Sequence, residues 1–156
     1  MKKLFAAGLI LILLLIAFPS AAGNARKCTG LSMGQKVYVP AYSHIYSGNR
    51  EMHALLTVTL SVRNTDPHHA IEILSVDYYD TNGNLLINYL SSPILLNALG
   101  TARYIISQKD RSGGSGANFI VTWKSKKPVN TPIIETVMIG SRSSFTSRGK
   151  EILPSK

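Results

Sequence analysis

The sequence predicts an all-β fold, a single immunoglobulin-like antiparallel β-sandwich of about eight short strands. Residues 55–63 and 118–124 alternate apolar and polar side chains with the period of two that is typical of a strand with one buried face. Short apolar runs separated by turn residues continue along the chain. Beyond the amino-terminal apolar segment, no window of twelve or more residues keeps a helical period. This pattern favours a sandwich over a helical or α/β fold.

The amino terminus has the pattern of a secretory signal peptide at residues 1–22. Lys2 and Lys3 precede an apolar run at residues 4–18, and small residues follow it. The run is shorter than the ~20 residues that a transmembrane helix needs, so export is expected and no transmembrane segment is expected after cleavage. Cleavage is expected after Ala22 or, as the alternative, after Ala25. Retention of the segment as an anchor stays open.

A flexible leader is predicted at residues 23–34, a domain at 35–150 and a tail at 151–156. The leader holds Cys28, the single cysteine of the chain. Residues 25–27 before it do not match a lipid-attachment signal, and one cysteine cannot form an internal disulfide. Cys28 is therefore expected to be either a free thiol or a link to another chain.

The charge balance favours anionic partners. Without residues 1–22 the chain keeps 15 Lys and Arg against 8 Asp and Glu, a formal net charge of +7. This surplus suits phospholipid headgroups or acidic polysaccharide. Nucleic acid is not expected, since the basic residues are scattered and accompany no nucleic-acid-binding motif. The densest basic group, Lys124, Lys126 and Lys127, is interpreted as a solvated rim at a strand end.

The first predicted strand begins at Gln35 and contains Pro40, which indicates an edge or a bulge because proline cannot donate to a ladder. Its apolar positions are Val37, Val39 and Ala41. If the alternation continues, the opposite face carries four rings: Tyr38, Tyr42, His44 and Tyr46. These rings either cap the core or form a recognition surface.

Two turn signals and a bulge divide the middle of the chain. Residues 64–67 offer Asn and Asp side chains and a proline for a turn after the strand at 55–63. In the next strand the apolar residues change phase between Ile73 and Leu74, which indicates a bulge. An Asn-Gly pair within residues 80–84 then predicts a hairpin.

Further strands are expected at residues 85–90, 94–96, 102–107 and 133–139. Residues 128–132 hold two prolines and are expected to stay outside any ladder. From residue 141 the chain is polar, and only Phe145 is expected to dock. Trp123, the only tryptophan, is placed in the core.

A glycine-rich loop at residues 112–117 leads into the strand of Trp123. Its small residues permit positive φ and leave backbone N–H groups open to an anionic or carbonyl group. The alternative is a tight connection with no ligand. The predicted binding surface comprises Arg111, Ser112, Gly113, Gly114, Ser115, Gly116 and Asn118, with Tyr42, His44 and Tyr46 beside them.

The histidines supply the alternative function, a periplasmic copper or zinc protein. The candidate ligands are His44, His53, His68 and His69, with Met52 and Cys28. A blue-copper site would want a carboxy-terminal Cys-x-His-x-Met cluster, which the chain lacks, and consecutive histidines on a strand point to opposite faces. No metal or other cofactor is therefore expected.

Three short motifs do not support catalysis or calcium binding. The 80–84 turn has its glycine at the fourth position of a calcium loop instead of the sixth, and Ser91 stands where the glutamate belongs. Ala117 replaces the second glycine of a nucleophile elbow, and a strand follows instead of a helix. Ser147 and Lys150 match Ser-x-x-Lys in a polar tail. No catalytic residue is predicted, and the protein is not expected to be an enzyme.

Several blocks resemble the bacterial domain-of-unknown-function family 3124. The blocks lie at residues 37–46, 60–66, 76–80, 112–119, 128–130 and 137–140. The resemblance covers roughly residues 34–150 and implies exported or membrane-anchored proteins of a single domain, with no assigned activity or site residues. Many relatives carry a lipid-attachment signal that this chain lacks, which favours release into the periplasm or outside the cell. The expected function is an exported, non-catalytic module that binds another envelope component, either a protein or an anionic component.

The export prediction can be tested directly. The mature protein is expected to start at Gly23 or Arg26, because the charged, apolar and small-residue segments of residues 1–25 occur in the order that signal peptidase requires. Intact-mass measurement of exported material decides the position. Retention of Met1, or the mass of a diacylglycerol group on Cys28, would contradict the prediction.

Overall fold

A computed structural model describes residues 30–47, 52–141 and 143–154. The predicted signal peptide and Cys28 lie outside these residues. The all-β fold is confirmed, and the described residues form twelve strands where about eight were predicted. In chain order these are β1 (Leu31–Pro40), β2 (His44–Ser47), β3 (Met52–Leu55), β4 (Thr57–Arg63), β5 (Ile71–Tyr79), β6 (Leu85–Asn88), β7 (Ile94–Leu96), β8 (Thr101–Ile106), β9 (Asn118–Asn130), β10 (Ile133–Ile139), β11 (Ser144–Arg148) and β12 (Lys150–Glu151).

The strands form two antiparallel sheets and one hairpin. The first sheet has the order β12-β1-β9-β5-β6, with β7 also paired to β5, and the second has the order β11-β10-β4-β8. Strands β2 and β3 pair only with each other among the described strands. The two large sheets enclose one core, which is the sandwich that the sequence predicted.

The predicted alternation of the central strands is confirmed. In β4, Val58, Leu60 and Val62 are fully buried, and in β9 the buried residues are Phe119 and Val121 together with Trp123, at 1 % exposure. Apolar side chains at every second position therefore face the other sheet. Burying these side chains is the main source of stability for such a sandwich.

The bulge and the hairpin are also confirmed. Pairing of β5 with β9 shifts register between Ile73 and Ser75, so that the buried positions change phase as the sequence indicated. The turn at residues 80–84 joins β5 to β6, with Gly83 at φ 83°. The Asp80 carboxylate accepts hydrogen bonds from Asn84 and from the backbone of the turn, which lowers the pKa of Asp80.

The expectation that Tyr38, Tyr42, His44 and Tyr46 share one strand face is wrong. Strand β1 ends at Pro40, and residues 41–43 link it to β2. The backbone N–H groups of Ala41 and Ser43 donate to the glycine-rich loop instead of continuing the ladder. The alternation is thereby interrupted between Tyr38 on β1 and His44 on β2.

Strand β1 begins at Leu31, inside the predicted leader. Leu31 pairs with Asn130, so residues 129 and 130 belong to β9 although they were expected outside any ladder. The register shifts from Gly34 opposite Lys124 to Ser32 opposite Val129, which leaves residues 125–128 in a wide bulge. Pro128 lies in that bulge, where its missing N–H costs no ladder hydrogen bond.

The polar segment after residue 141 contains two short strands, each of which pairs with a different sheet. Strand β11 pairs with β10 and β12 pairs with β1, so the chain passes from the second sheet to the first at Gly149. A Cβ at Gly149 would lie 2.6 Å from Cγ1 of Val37. The predicted docking of Phe145 is confirmed by its edge-on contact with Tyr42, at a ring-centroid distance of 5.8 Å. Backbone pairing orders this segment, and such pairing needs no apolar sequence.

The turn after β4 is built on a buried carboxylate. Asp66 is 5 % exposed, and its Oδ1 accepts the backbone N–H groups of His68 (2.9 Å) and His69 (2.8 Å). Its Oδ2 accepts the backbone N–H of Asn130 at 3.1 Å. The N–H of His68 is the largest cause of a strongly lowered pKa of Asp66.

Asn64 extends this arrangement to the segment before β8. Its Nδ2 donates to the carbonyl oxygens of His69 (2.8 Å) and Asn97 (3.0 Å), and its Oδ1 accepts the N–H of Asp66. Asn64 and Asp66 thus join the turn after β4 to the β7–β8 and β9–β10 connections. We call this end of the sandwich the corner end.

Replacing Asp66 by Asn is expected to lower the melting temperature at pH 7 by roughly 5–10 °C, because an amide NH₂ would face backbone donors. The depressed pKa of Asp66 gives stability that is fully present above the ordinary aspartate value of about 4 and is lost as the pH falls toward the folded value. The melting temperature of Asp66→Asn should therefore fall less steeply on acidification than that of the wild type. Thermal melts between pH 7 and 3 measure both effects.

Asp77→Asn is the matched control, since Asp77 accepts one side-chain hydrogen bond, from Asn88 at 2.8 Å. It should change the melting temperature by no more than about 2 °C. Equal pH dependence in Asp66→Asn and the wild type would contradict the role given to the Asp66 carboxylate.

Candidate functional site

The predicted binding loop lies at the end of the sandwich opposite the corner end. We call this the glycine end; it comprises residues 107–117, the β5–β6 turn and the β2–β3 hairpin. Of the loop residues, Arg111, Ser112 and Gly116 are exposed. Gly114, Ser115 and Asn118 are half-buried and Gly113 is buried, so the loop is only partly exposed.

Thr81 of the β5–β6 turn holds the loop in place. Its backbone N–H and its Oγ1 both donate to the carbonyl of Gly113 at 2.9 Å, and Oγ1 accepts the N–H of Gly116 at 3.0 Å. On the other side, Ser43 donates its N–H to the carbonyl of Gly114 at 3.0 Å. The loop is therefore tied to two separate parts of the fold.

Two of the loop positions require glycine, one because of packing and the other because of its backbone conformation. A Cβ on Gly113 would clash with the buried hydroxyl of Tyr78, which is hydrogen-bonded to Oγ of Ser43 at 3.0 Å. Gly114 has φ +76°, a conformation that other residues rarely adopt. Both reasons lie within the fold and agree with the interpretation of the loop as a tight connection.

The loop N–H groups that were expected to be open have internal acceptors at three positions. Ser112 donates to Asp110, Gly114 to Arg111 and Gly116 to Thr81. These three N–H groups are therefore not open to an anionic or carbonyl group of a ligand. The binding role of the loop stays a prediction that depends on the exposed Arg111, Ser112 and Gly116.

The loop adjoins a cluster of rings on the β2–β3 hairpin. The rings of His44 and His53 stack with centroids 4.4 Å apart and planes 3° apart, and Tyr46 contacts both edge-on. His44 is 9 % exposed, and burial, followed by the charges of His53 and Arg111, lowers the pKa of His44. The hydrogen bond from Ser43 to Gly114 ties the loop to the residue before His44, whereas Tyr42 packs on Phe145 of the second sheet.

The histidine positions give little support to the copper or zinc hypothesis. The rings of His44 and His53 are parallel, and the nitrogen lone pairs of an imidazole lie in the plane of its ring. The lone pairs of the two rings therefore lie in parallel planes and do not meet at one ion. Nδ1 of His69 lies 3.1 Å from Asp66 Oδ1. Within residues 30–47, 52–141 and 143–154, no group of three or more His, Cys, Asp or Glu side chains could hold a metal ion.

A cleft at the corner end gathers the lysines that the sequence placed on a solvated rim. The cleft has a volume of about 390 Å³ and lies against β5, β7 and the bulge of β9. It is lined by His68, His69, Ala70, Ile71, Glu72, Leu95, Lys124, Ser125, Lys126 and Lys127. Three lysines and two histidines thus surround one concave surface.

Strand register explains how the cleft forms. Lys124 pairs with Glu72 across the first sheet, and Glu72 pairs with Leu95. Nζ of Lys124 lies 3.1 Å from Oε2 of Glu72, so this acid neutralises one lysine. Lys126 and Lys127 are exposed in the bulge and form no ion pair with any other described residue. The cleft therefore keeps a positive charge.

Sequence reasoning missed the cleft because its parts are distant in the chain. The bulge at 125–128 depends on the pairing of residues 31 and 32 with 129 and 130, which the sequence pattern does not show. The one available signal was the lysine run directly before Pro128, where an irregular strand could be expected.

In the part of the chain that the structure describes, no helix is long and apolar enough to span a bilayer.

Gly113→Ala is expected to lower the free energy of unfolding by about 1–3 kcal/mol, because the added methyl group must displace the Tyr78 hydroxyl. Gly30→Ala is the matched control, since a Cβ there meets nothing within 4 Å. Denaturant unfolding followed by Trp123 fluorescence measures both. Equal stability of the two variants would show that the loop is not packed against Tyr78 as described.

Comparison with known proteins assigns a family but no activity. The family model described as a protein of unknown function, DUF3124, matches residues 34–152. No curated protein and no solved structure matches the chain. The family match runs from β1 to just beyond β12, and so covers nearly the whole sandwich. The chain therefore belongs to the DUF3124 family of proteins of unknown function.

Proposed function

We propose that this protein is an exported, non-catalytic binding module of the bacterial envelope, whose corner-end cleft takes an anionic group of another envelope component. The observation that carries the proposal is the 390 Å³ cleft lined by Lys124, Lys126 and Lys127 with His68 and His69. Its volume lies within the range of small-ligand sites, about 300–1,000 Å³.

The lining favours an anion over a neutral ligand. Lys126 and Lys127 bring two positive charges that no described acid neutralises. The Lys124–Glu72 pair fixes one wall, and Ile71 and Leu95 add apolar surface. A partly enclosed cationic site strengthens electrostatic attraction relative to an open surface. The formal charge of +7 for the chain without residues 1–22 acts in the same direction.

Export rests on the amino-terminal pattern. Lys2 and Lys3, the apolar run at 4–18 and the small residues after it support secretion to the periplasm or beyond. In these compartments the available anions include phospholipid headgroups and acidic polysaccharide. The exposed part of the glycine end, with Arg111 and Tyr46, offers a second surface for a protein partner.

NMR titration of the ¹⁵N-labelled exported chain tests the cleft. Glycerol 3-phosphate and oligogalacturonate are the soluble probes, and shifts are expected at residues 68–72 and 124–127. The double variant Lys126→Gln, Lys127→Gln should bind the probes about tenfold more weakly. This corresponds to a loss of ~1.4 kcal/mol of binding free energy, which is divided between two exposed charges.

The control is Arg103→Gln, Lys109→Gln, which removes the same charge from exposed positions outside the cleft. It should change affinity by less than twofold. Equal weakening by both pairs would show that only net charge matters and would refute the site. Binding of Cu²⁺ or Zn²⁺ at His44 or His53, with no response to the anions, would favour the metal-binding alternative.

A further inference from the structure

We infer that the corner end docks on an anionic phospholipid bilayer, with the cleft receiving a headgroup phosphate and the neighbouring aliphatic side chains entering the interface. This inference rests on the proposed function and names its partner. It depends on three features of the corner end: exposed aliphatic residues, unpaired lysines and the point where the chain enters the sandwich.

Four large aliphatic residues around the corner end are exposed. Leu31 is 49 % exposed, Met33 54 %, Leu95 70 % and Leu99 68 %. Single exposed apolar residues are ordinary on soluble proteins, but a group of them beside lysines marks an interaction surface.

The sheet register places each of these residues near the cleft or near the Asp66 turn. Met33 lies on β1, in the step of the register opposite the bulge at residues 125–128, and Leu95 lies in the same cross-strand row as Lys124. Leu31 pairs with Asn130, whose N–H binds Asp66, while Leu99 donates its N–H to the Asp66 carbonyl at 3.1 Å. Leu31 and Leu99 therefore lie beside the Asp66 turn, Leu95 lines the cleft and Met33 lies on the strand next to the bulge.

Leu99 has a φ of +57°, in the left-handed region that residues other than glycine rarely adopt. The turn closed by the hydrogen bond from the Gly100 N–H to the Asn97 carbonyl at 2.9 Å, together with the hydrogen bond from the Leu99 N–H to Asp66, holds this conformation. The turn leaves the Leu99 side chain exposed at the corner end.

Lysines and aliphatic residues act together at a membrane. Each lysine near an anionic leaflet adds electrostatic attraction, and a single weak anchor gives only marginal binding. Lys126 and Lys127 supply the electrostatic part, and Leu95 and Met33 the apolar part. An acidic polysaccharide would use the lysines but would leave the aliphatic residues in water, so the bilayer fits the whole surface better.

The chain enters the sandwich at the same end. Gly30, the first described residue, accepts hydrogen bonds on its carbonyl from the N–H and Oγ1 of Thr131, beside the Asp66 turn. Residues 19–29 separate Gly30 from the apolar run and can span at most about 40 Å. While that run is in the membrane as a retained anchor, this length limits how far the corner end can lie from the bilayer.

Vesicle co-sedimentation tests this inference with the exported chain. The vesicles contain phosphatidylglycerol and phosphatidylcholine at 30:70, or phosphatidylcholine alone, in roughly 0.1 M salt, where charges beyond about 10 Å are screened. Binding is expected only to the anionic vesicles. Lys126→Gln, Lys127→Gln and, separately, Met33→Ser, Leu95→Ser should each weaken it at least fivefold.

The controls match each change in chemistry. Arg103→Gln, Lys109→Gln matches the charge, and Ile105→Ser, Ile139→Ser matches the exposed aliphatic residues, at 58 % and 53 % exposure on the second sheet. Both should bind within twofold of the wild type. Thermal melts confirm that every variant is folded.

The outcomes separate the two proposals. Wild-type vesicle binding by Met33→Ser, Leu95→Ser would overturn bilayer docking, as would an absence of vesicle binding in a protein that still binds the soluble anions. In both cases the cleft would remain an anion site. The first outcome would reduce vesicle binding to the charge of the lysines, and the second would make a polysaccharide or a protein the partner. If the wild type bound neither the soluble anions nor the anionic vesicles, the cleft itself would be refuted.

Discussion

The buried carboxylate of Asp66 is the constraint on which the corner end depends. A charge removed from water must receive hydrogen bonds, and Asp66 receives them from its own turn and from Asn130 at the end of β9. Asn64 adds the segment before β8. The ends of strands from both sheets are thereby fixed against one another, and with them the register that forms the lysine bulge.

Local patterns in the sequence were sufficient for the regular parts of the fold. The alternation in β4 and β9, the phase change at Ile73 and the Asn-Gly turn each reflect a rule that acts over a few neighbouring residues. The strands that escaped prediction are held by backbone pairing with distant partners. Leu31 belongs to β1 because Asn130 is opposite it, and the polar β11 is ordered by β10. Neither pairing leaves a hydrophobic signature.

The same distinction applies to the candidate sites. The sequence located the glycine-rich loop, yet the need for Gly113 comes from Tyr78 and Thr81, which lie more than 30 residues earlier. It also showed the lysine run, but the cleft exists only because β5 and β7 pack beside the bulge. Composition could therefore suggest an anionic partner, whereas a candidate place for it to bind could be found only in the tertiary structure.

Strand β9 connects the two candidate surfaces. It begins at Asn118, next to the glycine loop, and reaches the lysine bulge after Trp123, whose side chain is buried between the sheets. With pairing partners on both sides, β1 and β5, this strand is a poor candidate for movement. The two ends therefore act as fixed surfaces that face in opposite directions. If the corner end rests on a bilayer, the glycine end points away from it, with Arg111 and Tyr46 exposed to whatever lies beyond the membrane surface.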